Sequence, residues 1–136
     1  MMKASALPHF LRIYVVENDT DSRNMLTMLL RSWGHDVDAA STLAEALAHL
    51  PGQRYDVLIS DIGLPDGNGW QLMDKLRELG TLGNIGYAIA MSGYGMVSDL
   101  EKSRAAGFRH HLVKPMDVDH LDRLLLEIIN EIDAGA

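Results

Sequence analysis

Short runs of consecutive apolar residues alternate five times with longer stretches of helical period, and no linker interrupts the alternation. Ile13 to Val16 reads as a buried strand. From about Thr20 to Trp33, Met25, Leu26, Leu29, Leu30 and Trp33 keep helical spacing until Gly34 ends the helix. Val37 to Ala40 predicts a second strand. Thr42, with Glu45 three residues later, forms a capping box that opens a helix carrying Leu43, Ala46, Leu47 and Leu50, stopped by Pro51 and Gly52. Val57 to Ser60 predicts a third strand. The loop GLPDGNG leads from it into a helix with Leu72, Met73, Leu76 and Leu79 on its apolar face, closing at Gly80. Ile85 to Met91 is apolar on both faces, as a central parallel strand covered from two sides must be. The next helix is expected from about Ser98, with Glu101 completing a second capping box. Phe108 to Val113 predicts the fifth strand. Lys114-Pro115 breaks it before a last helix striped by Val118, Leu121, Leu124, Leu125, Ile128 and Ile132.

Strand starts recur about every twenty to thirty residues, which leaves room for a helical crossover each time. The expected fold is therefore α/β, a doubly wound five-stranded parallel sheet of the (βα)5 type. The length of 136 residues fits one domain, with residues 1–12 as an N-terminal extension, 13–132 as the domain and 133–136 as a tail. Hydrophobic residues make up 47% and charged residues 23%, the proportions of a globular protein. Twelve basic against nineteen acidic residues leave a net charge of −7, which repels nucleic acid and anionic membrane surfaces. The chain has no cysteine, so disulfide, thiolate and zinc-knuckle chemistry are excluded. The segment MMKASALPHFLR is broken by Pro8 and does not resemble a signal peptide, and no apolar run approaches a membrane span, so a cytoplasmic location is expected.

In an open parallel sheet, ligands bind beyond the carboxyl ends of the strands, where strand order reverses. The polar residues predicted there are Glu17, Asn18 and Asp19 after the first strand, Asp61 after the third, Ser92 after the fourth and Lys114 after the fifth. With strand order 2-1-3-4-5, the acidic residues of strands one and three converge. Two carboxylates about 4 Å apart repel by roughly 4 kcal/mol at an effective dielectric near 20, so the cluster calls for a cation. Rigid oxygen ligands suit Mg²⁺, and Lys114 adds a second positive charge that can hold an anion. A carboxylate, a divalent cation, a lysine and a hydroxyl around one point suit phosphoryl transfer. Taken singly, Asp19, Asp21 and Ser92 are better explained as helix caps and Lys114 as a solvated surface lysine, but capping does not explain the combination of all four strand ends.

Together, VVEND, LISDIGLPDGNG, the Ser92-Gly93 pair and LVKP resemble a response-regulator receiver domain of two-component signalling, CheY-like and of flavodoxin-like fold, over about Ile13 to Ile132. The resemblance implies that Asp61 is the phosphoacceptor, taking a phosphoryl group from a histidine of a kinase or phosphotransfer protein. It implies that Glu17, Asn18, Asp61 and the Gly63 carbonyl hold Mg²⁺, that Lys114 and Ser92 meet the phosphoryl oxygens, and that the bond before Pro115 is cis. Gly63 and Tyr94 occupy the positions that flank the phosphoryl group and govern water access. Such a domain catalyses its own phosphorylation and dephosphorylation without turning over an independent substrate. Its output goes to a downstream protein through the fourth helix, fifth strand and fifth helix, and a homodimer is compatible with this reading. No effector domain is expected in the few residues after 132.

Two positions depart from the family pattern. Asn18 stands where aspartate is commonest, which implies weaker metal binding. His111 replaces the usual Tyr or Phe of the switch, so that a switch role for Ser92 and His111 competes with that of an ordinary half-buried histidine. His110 beside it should point to the opposite face. Two further readings stay open: a phosphorylation-independent interaction module with the same fold, and a haloacid-dehalogenase-type phosphatase using the Asp19-Thr20-Asp21 spacing.

Overall fold

The structure, a computed structural model, describes residues 10–93 and 100–135. Five strands form one parallel sheet: β1 (Arg12–Val16), β2 (Asp36–Ala40), β3 (Tyr55–Asp61), β4 (Ile85–Ser92) and β5 (His110–Val113). Their order is β2-β1-β3-β4-β5, as expected. The helices are α1 (Thr20–Ser32), α2 (Leu43–His49), α3 (Gly69–Glu78), α4 (Leu100–Ala106) and α5 (Val118–Gly135).

The two faces of the sheet are buried in separate cores. Because side chains alternate along a strand, Ile13, Val15, Val57, Ile59, Ile89, Met91 and Leu112 fall on one face, where α1 and α5 bring Leu26, Leu30, Leu121, Leu125 and Ile128. Tyr14, Val16, Leu58, Ala88 and Ala90 fall on the other, against Ala46, Leu72, Met73, Leu76 and Ala106. The double winding predicted from the apolar runs is thus present, with small residues on β4 where α3 and α4 approach.

Several details differ from the sequence expectation. Met25 is 66% exposed, because only Leu26 and Leu30 of its stripe reach the sheet fully. Leu79 is exposed as well, since it caps α3 where Gly80 (φ 74) turns the chain away. Val118 and Ile132 lie at the overhanging ends of α5, whose 18 residues span about 27 Å against roughly 17 Å for the five-residue β1. Ile129 joins the buried stripe instead. Phe108 is buried but precedes β5, which starts at His110.

The Thr42–Glu45 box is half formed. Thr42 Oγ1 accepts from Glu45 N–H, but the Glu45 carboxylate turns to Ser41 N–H and Oγ. A reciprocal box forms at Asn68 and Gln71 instead, opening α3. Ser98, the expected cap of α4, lies outside the described residues.

Candidate functional site

Register builds the site. Val16 pairs with Ser60 across β1 and β3, so one residue further on Glu17 comes alongside Asp61. Ser92 pairs with Val113 across β4 and β5, and Lys114 N–H donates to Ser92 O at 2.7 Å, which fixes the start of the next segment. Glu17, Asp61 and Lys114 share parity with Val15, Ile59 and Leu112, so all three continue the column that faces α1 and α5. The Lys114-Pro115 peptide is cis, as the resemblance implies.

Lys114 Nζ lies 2.5 Å from Glu17 Oε1 and 2.7 Å from Asp61 Oδ1, one ammonium serving two carboxylates. Glu17 is 2% and Asp61 5% exposed. Burial pushes the Asp61 carboxyl up, contact with Glu17 adds to this, and Lys114 opposes it, leaving Asp61 at about 7. Burial would raise Glu17 too, but its contacts with Asp61 and Lys114 and a hydrogen bond from Asp19 N–H (2.9 Å) hold it below the usual carboxylate range. Burial lowers Lys114, and the two carboxylates outweigh burial and raise it. The proton of this cluster is therefore shared unequally, with Asp61 the acid that keeps it.

The donor chemistry fits a hard divalent cation. Two buried carboxylates face one ammonium, so the cluster gains from further positive charge. Among the described residues no group of three or more His, Cys, Asp or Glu forms an all-protein cage. Mg²⁺ needs only one or two carboxylates and keeps waters on its other positions. Asn18 is exposed at the tip of β1, and its backbone carbonyl accepts from Arg23 (3.3 Å), as does that of Glu17 (3.0 Å). Arg23 thus clamps the loop that carries two of the expected ligands, a role the sequence reading misses.

After Asp61 the chain forms a hairpin of Gly63–Leu64 with Gly67–Asn68. Gly63 is exposed, and a Cβ there would meet nothing within 4 Å. Gly69 has no such freedom: a Cβ would lie 2.7 Å from Asp61 O, and its N–H donates to Ile62 O. That close approach is the physical reason for the glycine in the motif. Asp66 at the hairpin tip accepts from Leu43 and Ala44 N–H (2.8 and 2.9 Å), tying the loop to α2. The two partners lie far apart along the chain, and no local pattern signals the bridge.

Ser92 is buried, and its Oγ lies 2.6 Å from His111 Nε2. His110 falls on the opposite face, in line with Leu112, so the two imidazoles project to different sides of the sheet. Tyr94 lies outside the described residues. Asp19 is the N-cap of α1, accepting from Ser22 N–H at 2.8 Å, and Asp21 is exposed in the first turn, an arrangement that favours helix capping over a nucleophilic Asp19.

The model of the response regulator receiver domain family matches residues 13–126. The chain is 34% identical over 113 residues to the uncharacterized 14.6 kDa protein in the sodA1 3' region of Leptolyngbya boryana, covering 83% of this chain and 86% of that one. It is 30% identical to the sensor protein EvgS of Escherichia coli K12 over 90% of this chain, which spans only 10% of EvgS. Among solved structures, it is similar to a CheY-like receiver domain protein from Methanospirillum hungatei (26% identity, TM-score 0.82, 93% of this chain and 99% of that one). It is also similar to the receiver domain of the sensor histidine kinase PA1611 from Pseudomonas aeruginosa, solved with magnesium in its active-site cleft (26% identity, TM-score 0.77, 89% and 98%). The chain belongs to the response regulator receiver domain family, the receiver module of two-component systems. Among the described residues no helix is long and apolar enough to cross a membrane.

Proposed function

We propose that the chain is a phosphoacceptor: a carboxylate oxygen of Asp61 takes a phosphoryl group from a phosphohistidine of a histidine kinase or phosphotransfer protein. The P–O bond to Asp61 forms as the donor's P–N bond breaks, and the imidazole leaves with a proton. The product is an acyl phosphate. The observation that carries this reading is a buried Asp61 carboxyl with the Lys114 ammonium 2.7 Å away, beside a second buried carboxylate.

Lys114 favours the ionised, nucleophilic form of Asp61 and offers its charge to the incoming oxygens. Mg²⁺, when bound by Glu17, Asn18, Asp61 and the Gly63 carbonyl, offsets the charge that accumulates there. Glu17 stays ionised throughout, because its hydrogen bonds hold it below the usual range. Gly63 leaves its side of the site open, and Tyr94 is proposed to flank the other. Phosphorylation adds about −1.5 to −2 charge, which draws on Lys114 and Ser92 and biases the α4, β5 and α5 surface toward a downstream partner.

Incubation with acetyl phosphate and Mg²⁺ followed by intact-mass measurement tests this. One phosphoryl group is expected on the wild type and none on Asp61→Asn. An unmodified wild type would leave the phosphorylation-independent interaction module as the better account.

Two further outcomes probe the assigned roles. Asn18→Asp adds a negative charge at the tip of β1 and is expected to tighten Mg²⁺ binding about fivefold to tenfold; equal affinities by calorimetry would remove Asn18 from the metal site. Ser92→Ala is expected to keep phosphorylation largely intact while blunting partner discrimination. A binding titration in which the preference for the phosphorylated form is unchanged would remove Ser92 from the switch.

A further inference from the structure

Arg23 lies near the start of α1, and because helix side chains lean toward the N-terminus its guanidinium reaches back to the end of β1. There Arg23 Nη1 donates to two carbonyls, Glu17 O at 3.0 Å and Asn18 O at 3.3 Å. The direction of both bonds is fixed by chemistry, since a guanidinium only donates and a carbonyl only accepts. A cation near a helix N-terminus opposes the helix dipole, so helix energetics alone do not favour arginine at this position.

In a trans peptide the C=O and N–H point in opposite directions, and among the described residues only the Lys114-Pro115 bond is cis. The carbonyl of the Asn18–Asp19 peptide turns to Arg23. Its N–H therefore turns the other way, and Asp19 N–H donates to Glu17 Oε2 at 2.9 Å. The other oxygen of that carboxylate, Oε1, accepts from Lys114 Nζ. The far end of the plane is pinned too: Asp19 caps α1 by accepting from Ser22 N–H at 2.8 Å, and Asp19 O accepts from Arg23 N–H at 2.8 Å. One peptide plane thus carries the grip of Arg23 across to the Glu17 carboxylate.

We propose that Arg23 is a positioning residue for the candidate metal site: by holding the Glu17 and Asn18 carbonyls it fixes the Asn18–Asp19 peptide plane, whose N–H in turn aims the Glu17 carboxylate. The inference rests on the reading of Glu17 and Asn18 as Mg²⁺ ligands, and Arg23 acts on them through the loop instead of on the ion.

Charge and positioning predict opposite signs. A guanidinium acting only through its charge repels a cation, so Arg23→Met would tighten Mg²⁺ binding. A guanidinium that holds the loop has the reverse effect: without it the peptide plane is free to turn, binding has to order the loop, and affinity falls. Calorimetric titration of Mg²⁺ into the wild type and Arg23→Met at one ionic strength reads the sign. About fivefold weaker binding by the variant is expected, within the range of one net hydrogen bond. An equal or tighter affinity would overturn the proposal.

Amide hydrogen exchange of the metal-free protein gives a second readout that does not involve the ion. Asp19 N–H should exchange about tenfold faster in Arg23→Met, while the amides of Leu26 and Leu30, in the covered part of α1, keep their wild-type rates. Unchanged exchange at Asp19 counts against the clamp, and so does an equal rise along all of α1, which marks a general loss of helix stability. Should the variant fold poorly, the wild type alone decides, because an unprotected Asp19 amide there would mean that the plane is not held. A wild type that takes up no Mg²⁺ refutes the metal reading itself, while exchange at Asp19 still decides whether Arg23 fixes the peptide, so the two failures are distinguishable.

Discussion

Replacing Lys114 with Met slows uptake of a phosphoryl group from acetyl phosphate by about 10²- to 10³-fold, the loss typical of one preorganised charge donor at a developing anion. Methionine keeps most of the apolar stem, so the change removes charge more than packing. It also leaves Glu17 and Asp61 facing each other without the ammonium that bridges them. Breaking a buried pair from one side costs about 3–5 kcal/mol where no relief exists. Relief exists here, because the Lys114 side chain is 34% exposed and Asp61 readily takes a proton. The expected loss at about pH 8 is therefore about 1–2 kcal/mol after screening, shrinking near pH 5 as Asp61 is protonated. Urea midpoints at both pH values check it, and an equal loss at the two would place the defect in packing instead of charge.

The sheet is legible in the sequence because its signals are local. A run of apolar residues needs no knowledge of its partner to be read as a strand, and Val57 to Ile59 and Ala88 to Met91 are buried where the pattern places strands. Parallel pairing is legible from the crossover lengths, and strand order from the resemblance. Helix faces are read less well: the periodicity of α1 and α5 marks a stripe, but only docking decides that Leu30 and Ile129 are covered while Met25 and Ile132 are not.

The site follows the same division. Glu17, Asp61 and Lys114 sit at strand ends, so parity and register carry them to one point. Asp66 reaching α2 and Arg23 holding the carbonyls of Glu17 and Asn18 depend on loop geometry that no spacing encodes. The Asn68–Gln71 box is readable in principle, since Asn followed three residues later by Gln is a helix-start pattern. The Ser92–His111 bond is half readable: both residues stand out in the sequence, but only register shows that the two side chains meet.

In metal-free buffer, Asp61→Asn should be more stable than the wild type, with an advantage that grows as pH rises from about 4 to about 7 and then levels off. The wild-type carboxyl has its ordinary value of 3.8 in the unfolded chain and about 7 in the fold, raised by burial and then by Glu17. Below the lower value both states are protonated and Asp61 contributes its full stability. Between the two values the unfolded chain sheds a proton that the fold keeps, so stability falls by about 1.4 kcal/mol per pH unit. Above the upper value both states are ionised and the loss is complete, on the order of 4 kcal/mol. Glu17 has the opposite sign, but its carboxyl is lowered, so its contribution changes only below the usual carboxylate range. His35 and His110 are both lowered by burial, so their contributions rise with pH up to the ordinary histidine range and mask part of the wild-type slope. Subtracting the two pH profiles cancels them and leaves Asp61. Saturating Mg²⁺ should then shrink the difference, since a cation at the cluster stabilises the ionised carboxylate that the asparagine lacks. A difference between the variants that stays flat with pH would mean that Asp61 is ionised without help, and would remove the need for a cation at this site.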